Sequence, residues 1–128
     1  MRAVLDTSVL IDAPKLPKGI EAAVSAVSIA ELHFGLLVAQ QADIRAERAA
    51  QLGTIEANFM SLPLDDRVAR VLGRLKSAVA ERGGKPRKRL ADLAIAATAV
   101  AHGAVLITAN SKDLTIVNDL VVCRELAS

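Results

Sequence analysis

Aromatic residues are almost missing from this chain: 128 residues include two phenylalanines and no tryptophan or tyrosine. A protein that holds single-stranded nucleic acid by stacking bases needs several exposed rings, so that mode of recognition is excluded. Any grip on RNA must come from phosphate charge and metal ions. Cysteine is equally scarce. Cys123 alone can form neither an internal disulfide nor a cysteine-rich zinc site, and within the apolar run LVVC it reads as a buried small hydrophobe. No stretch reaches the about 18 uninterrupted apolar residues of a membrane-spanning helix. The opening MRAVLDTSVLID has too short an apolar segment and too early an Asp for a secretory signal. A reducing, cytoplasmic setting without a membrane is the expectation.

What is present is aliphatic. Hydrophobic residues make up 52% and charged residues 23% of the sequence, ordinary for a folded chain, and residues 1–128 are expected to form one domain. The net charge of +2 is unevenly spread. Lys85, Arg87, Lys88 and Arg89 place four cations within five residues, and without them the chain stands at −2. Such a patch draws a polyanion such as RNA to one face, although a solvated, solubilising loop would look the same.

Short apolar runs alternate with amphipathic stretches. Ala3-Val4-Leu5 reads as a buried strand ending at Asp6-Thr7-Ser8, and Pro14 and Pro17 mark a loop. Val24 to Val27 reads as a second strand leading into a helix from Ser28. Asp43 to Met60 has the spacing of a surface helix, and Ser61 to Leu64 is a short extended piece. Asp65-Asp66 caps a helix that stops at Gly83-Gly84. After the basic loop KPRKR, Leu90 to His102 forms an apolar helix, Ala104 to Ile107 a strand and Thr108 to Lys112 a turn. Leu120 to Cys123 reads as a closing strand. Strands alternating with helices predict an α/β domain with a mostly parallel sheet.

The acids carry the chemistry. In such sheets, sites lie beyond the carboxyl ends of the strands, where Asp6 falls; its structural alternative is a helix cap. Glu31 sits among Ile29, Leu32 and Phe34, and Ser28-x-x-Glu31 has the form of a capping box. Asp92 is the only acid between Leu90 and Ala109, in the apolar run LADLAIAATAVAH. A charge there is costly unless paired or metal-bound, although an acid also complements a helix N-terminus. Asn110 and Asp113 follow AVLIT, in a turn where both residue types are common. If these groups converge they repel: two carboxylates about 4 Å apart cost ~4 kcal/mol at an effective dielectric near 20. A divalent cation would relieve that, and all-oxygen ligation favours magnesium or manganese over zinc.

In this order the motifs resemble the PIN domain, and within it the bacterial VapC-type toxins. VLDTSVLID is similar to the family's opening strand and first acid, VSIAELHFGL to its second, and LADLAIAATAVAHGAVLITANSKDL to the third acid, its helix, the next strand and the fourth metal-site position. The resemblance implies a three-layer α/β/α sandwich and a Mg²⁺-dependent endoribonuclease, with Mn²⁺ as substitute. Asp6 and Asp92 would be direct metal ligands, and Glu31 a third acid that ligates metal or orients water. Asn110 stands where many relatives have Asp, and Asp113 is placed to compensate. Also implied are a VapB-type antitoxin that inserts a basic side chain into the acidic site, homodimers, heterotetramers or larger assemblies with the antitoxin, and structured RNA of the tRNA or rRNA class as substrate.

Two other readings remain open at this point. A PIN-like protein that only binds its partner would share the fold without catalysis. A phosphorelay receiver would explain VLD, LPLDD and LITANSK, but it leaves Asp92 without a role and lacks the paired acids of a first strand. His33 and His102 read as structural, since an all-oxygen site needs neither.

Overall fold

A parallel strand must be covered on both faces, so its sequence is apolar at consecutive positions rather than at alternate ones. Ala3, Val4 and Leu5 behave this way, each at most 2% exposed. The structure, a computed structural model, describes residues 1–11 and 16–126. In chain order the elements are β1 (Arg2–Leu5), α1 (Thr7–Ile11), β2 (Glu21–Ser25), α2 (Ala26–Leu37), α3 (Ala42–Asn58), β3 (Met60–Leu62), α4 (Asp66–Glu81), α5 (Leu90–Ala101), β4 (Val105–Thr108) and β5 (Cys123–Glu125). Single 3-10 segments occupy Pro86–Arg89 and Ser111–Val117. The turn expected at Pro14 lies outside the described residues.

The five strands run in the order β3-β2-β1-β4-β5, every neighbouring pair parallel. Leu5 stands in register with Val24 on one side and Ile107 on the other. The pleat sends Ala3, Leu5, Val24 and Ile107 into one core with Val9, Leu10 and Ile55. It sends Val4 and Leu106 into another, with the apolar stripes of α4 and α5. The expected three-layer α/β/α sandwich is what forms. From β1 the chain winds outward through β2 and β3, then returns to build β4 and β5 on the other side. The order therefore reverses between β1 and β4, and a crevice opens there at the carboxyl ends.

Helix α5 is the buried element. Leu93 to Ala99 are all buried, and Ala96, Ala97 and Ala99 are 0% exposed. Small side chains let the helix lie close against the sheet. Its buried hydroxyl is satisfied: Thr98 Oγ1 donates to the Ala94 carbonyl at 2.9 Å and lies 3.3 Å from Ser25 Oγ.

Several boundaries differ from the sequence expectation, each for a local reason. Helix α2 begins at Ala26 rather than Ser28, because Ser25 is its cap and accepts from the Val27 N–H at 3.1 Å. Strand β2 consequently spans Glu21–Ser25. KPRKR is not an open loop: Pro86, whose fixed φ suits a first helical position, starts a 3-10 turn. The last strand is Cys123–Glu125, so Cys123 is half-buried, and Leu120 and Val122 are exposed. Burial, then the field of Asp6, pushes its thiol up from the ordinary value, away from the reactive thiolate. Among the described residues, no helix is long and apolar enough to cross a membrane.

The cap of α4 is Asp65, whose Oδ1 accepts from the Val68 N–H at 3.0 Å, while Asp66 lies inside the first turn. Asp65→Ala is expected to cost about 1 kcal/mol in urea unfolding. Asp66→Ala keeps the capping bond and should cost less than half as much.

Candidate active site

Asp6 occupies the first turn after β1, at the crevice. Its N–H donates to the Ile107 carbonyl of β4 at 2.8 Å, and its own carbonyl accepts from Val9 and Leu10 to start α1. The backbone thus begins the helix, and the side chain does not cap it. Instead Oδ2 accepts from Ser8 Oγ at 2.6 Å and from Thr108 Oγ1 at 3.0 Å. Ser8 Oγ in turn accepts from the Ala109 N–H, and Thr108 Oγ1 from the Asn110 N–H. Two hydroxyls, one from α1 and one from the end of β4, fix this carboxylate at the seam.

The capping-box reading of Glu31 does not hold. With Ser25 as the cap, Ser28 lies inside α2, 0% exposed, and Glu31 is past the first turn. The Thr7 hydroxyl lies 2.7 Å from Glu31 Oε1, to which it donates, and 2.9 Å from Ser28 Oγ. A residue adjacent to Asp6 therefore tethers the second acid.

Asp92 arrives from the opposite direction. A helix that feeds a parallel strand runs back along the sheet, so the N-terminus of α5 lies at the carboxyl end. The cap position, Arg89, makes no side-chain bond to the helix backbone. Its guanidinium Nη1 instead sits 2.8 Å from Asp113 Oδ1 and 3.7 Å from Asp92 Oδ2. Asn110 and Asp113 separate in role. The Asn110 amide oxygen accepts from the Lys112 N–H at 3.2 Å and caps the 3-10 segment, leaving Asp113 as the acidic member of the turn. Of the basic residues, Lys85, Lys88 and Arg89 join Lys112 around a cavity that Arg87 does not line. His33 contacts Glu56 at 3.3 Å and His102 contacts Arg67 at 3.2 Å; neither touches these acids.

A model of the PIN domain family matches residues 3–118. The chain belongs to that family. This PIN domain is 41% identical to Ribonuclease VapC5 of Mycobacterium tuberculosis over 113 residues, 82% of this chain and 80% of that protein. It is 35% identical to Ribonuclease VapC4 of the same organism over 113 residues, 84% of this chain and 85% of the other. Among solved structures it is similar to VapBC-5, a member of the VapBC family of toxin–antitoxin systems from M. tuberculosis. That match has a TM-score of 0.82 at 35% identity and covers 99% of this chain and 98% of the other.

The electrostatics of the PIN domain bind the acids into one group. Burial raises the Asp92 carboxyl above the ordinary carboxylate range. Asp6, Asp113 and Glu31 raise it further, and only Arg89 opposes them. Three acids from three other elements thus act on one carboxyl group. Among the described residues, no three His, Cys, Asp or Glu side chains stand close enough to enclose an ion by themselves. Three hydroxyl residues hold the acids, Thr7, Ser8 and Thr108, and none of them is a candidate site residue by sequence. The DTS triplet at the end of a strand was the one available signal.

The raised pKa of Asp92 has a testable sign. An acid whose folded pKa exceeds its unfolded one favours the folded state while protonated, and that advantage is lost as pH rises through the folded pKa. At neutral pH the ionised carboxylate therefore opposes folding. Its contact with Arg89 is half-exposed and offsets little. Asp92→Asn in chelator-treated protein should melt at or above the wild-type temperature at neutral pH. The gap should close below the ordinary carboxylate pKa; thermal melts across pH read it directly.

Proposed function

We propose that this chain is a Mg²⁺-dependent endoribonuclease, the toxin of a VapBC-type toxin–antitoxin pair, acting on structured RNA of the tRNA or rRNA class. One observation carries this reading: Asp6, Glu31 and Asp113, distant along the chain, all bear on the part-buried Asp92 carboxyl at the carboxyl ends of β1 and β4. The similarity to proteins named Ribonuclease VapC5 and VapC4 supports it.

The residues fit the ion. Mg²⁺ keeps several waters and needs one or two carboxylates plus phosphate oxygens, not an all-protein cage. Asp6 and Asp92 would hold it, and the absence of a three-acid cluster among the described residues suits such an open site. An all-oxygen donor set disfavours zinc and admits Mn²⁺. When bound, the ion supplies Lewis-acid polarisation of the phosphodiester and a lowered pKa for water.

The chain's own residues do the remainder. Ser8 and Thr108 hold Asp6 in one rotamer, so little reorganisation is needed on loading. Thr7 occupies Oε1 of Glu31 and leaves Oε2 to take the proton of the attacking water. Arg89, salt-bridged to Asp113, offers positive charge beside the scissile phosphate. Phe34, Leu37 and Val38 are 67%, 73% and 52% exposed at the end of α2. They give a VapB-type antitoxin an apolar surface to cover, and a basic side chain of that partner would enter the acidic crevice. Homodimers, and heterotetramers or larger assemblies with the antitoxin, follow from the same reading. A PIN domain kept only for partner binding is the second reading, favoured by the uncharged Asn110, but Asp113 supplies the acid that position lacks.

Cleavage of RNA with Mg²⁺ should leave a 3′-hydroxyl and a 5′-phosphate and cease with chelator. Glu31→Gln should lower kcat by about 10²–10⁴-fold. A 2′,3′-cyclic phosphate product, which needs no activated water, overturns the mechanism.

A further inference from the structure

Beside the acidic crevice lies a second, differently built cavity of about 410 Å³. That size falls within the roughly 300–1,000 Å³ of pockets that enclose small organic ligands. Its rim carries four cations, Lys85, Lys88, Arg89 and Lys112. Its walls are aliphatic: Val79 from α4, Leu93 from α5 and Ile116 from the second 3-10 segment. Asp113 is the one acid on the wall, and Arg89 holds it at 2.8 Å. Because Arg89 and Asp113 border the cavity and also act on Asp92, the two hollows share a wall.

We propose that this cavity is a nucleotide subsite, which receives one residue of the RNA next to the bond that is cut. The assignment rests on the ribonuclease reading for its place in the reaction, but its chemistry stands on its own. Cations around an aliphatic floor match an anionic phosphate attached to a flat, largely apolar base. A phosphate site alone would have no use for the part-exposed Ile116, which rests on the core residues Val79 and Leu93. An apolar peptide would offer nothing to Lys85, Lys88 and Lys112. With no tryptophan or tyrosine in the chain, the base cannot stack on a tyrosine or indole ring, and the Arg89 guanidinium is the planar group that takes that place.

The cavity is pre-formed. Arg82 Nη1 donates to the Ile116 carbonyl at 2.7 Å and pairs with Asp119 at 2.7 Å, fastening the 3-10 wall to the end of α4. Gly84 closes the back. A Cβ there would stand 2.7 Å from Val79 Cγ1 and 2.8 Å from Ile116 Cδ1, so glycine lets the two walls meet.

The test uses the whole chain in chelator, so that nothing is cut. Adenosine 5′-monophosphate should shift the amide resonances of Gly84, Lys85, Thr115 and Ile116. Anisotropy of a labelled, mixed-sequence 15-nucleotide RNA gives Kd. Thr115→Trp fills the cavity without changing charge and should weaken RNA binding about tenfold, a loss of 1.4 kcal/mol. Lys112→Gln should weaken it too and flatten its salt dependence, which keeps the test decisive if the tryptophan variant does not fold. Wild-type Kd in both variants overturns the subsite, as does inorganic phosphate bound as tightly as the nucleotide. The ribonuclease reading fails separately: if Mg²⁺-loaded wild type cuts no RNA while the nucleotide still binds here, that reading falls and the subsite stands.

Discussion

The cost of a part-buried carboxyl at Asp92, facing other acids, is the constraint around which this end of the sheet is arranged. Asp92 can ionise only against the fields of Asp6, Asp113 and Glu31, so folding has to hold together groups that would separate if free. Several restraints supply that hold. Asp6 is gripped by hydroxyls from α1 and from the end of β4, Glu31 is tied to Thr7, the residue beside Asp6, and Asp113 is clamped by Arg89. The parallel sheet underneath provides the rigid reference, with Leu5 locked in register between Val24 and Ile107. Stability is given up locally at the crevice and recovered in the two aliphatic cores, the usual location of strain at working sites.

Arg89 gives this arrangement a second aspect. It is the cation present among the acids, and it moderates the repulsion on Asp92. It also borders the basic hollow next door. The boundary between a negative crevice and a positive cavity is therefore the Arg89–Asp113 pair, and a sharp reversal of potential over that distance orients an anionic polymer more than it simply attracts it.

Much of this was legible in the sequence, for identifiable reasons. Asp92 stood out because it was the only acid in a long apolar stretch, and no amphipathic surface could explain it. The alternation of apolar runs with amphipathic ones predicted the parallel sandwich. The errors came where one local pattern admitted two registers. Ser25 and Ser28 are equally good caps, and only the packing of β2 against β1 decides for the earlier one, which removes the capping box from Glu31. Asn110 and Asp113 are both ordinary turn residues, and the backbone N–H of Lys112 determines which of them caps. The hydroxyls of Thr7, Ser8 and Thr108 were illegible because serine and threonine are common at strand ends. Their partners lie up to 102 residues away, well beyond any periodicity.

The alanines of α5 set the height of the site above the sheet. Ala96, Ala97 and Ala99 are fully enclosed, so the spacing between this helix and the sheet is that of methyl groups. A larger residue at any of them would lift the helix off its bed and carry Asp92, one or two turns toward the N-terminus, out of reach of the seam. Chemistry at the crevice is thus gauged from beneath by side chains with no polar atoms, and the positions least able to vary lie where no substrate ever touches.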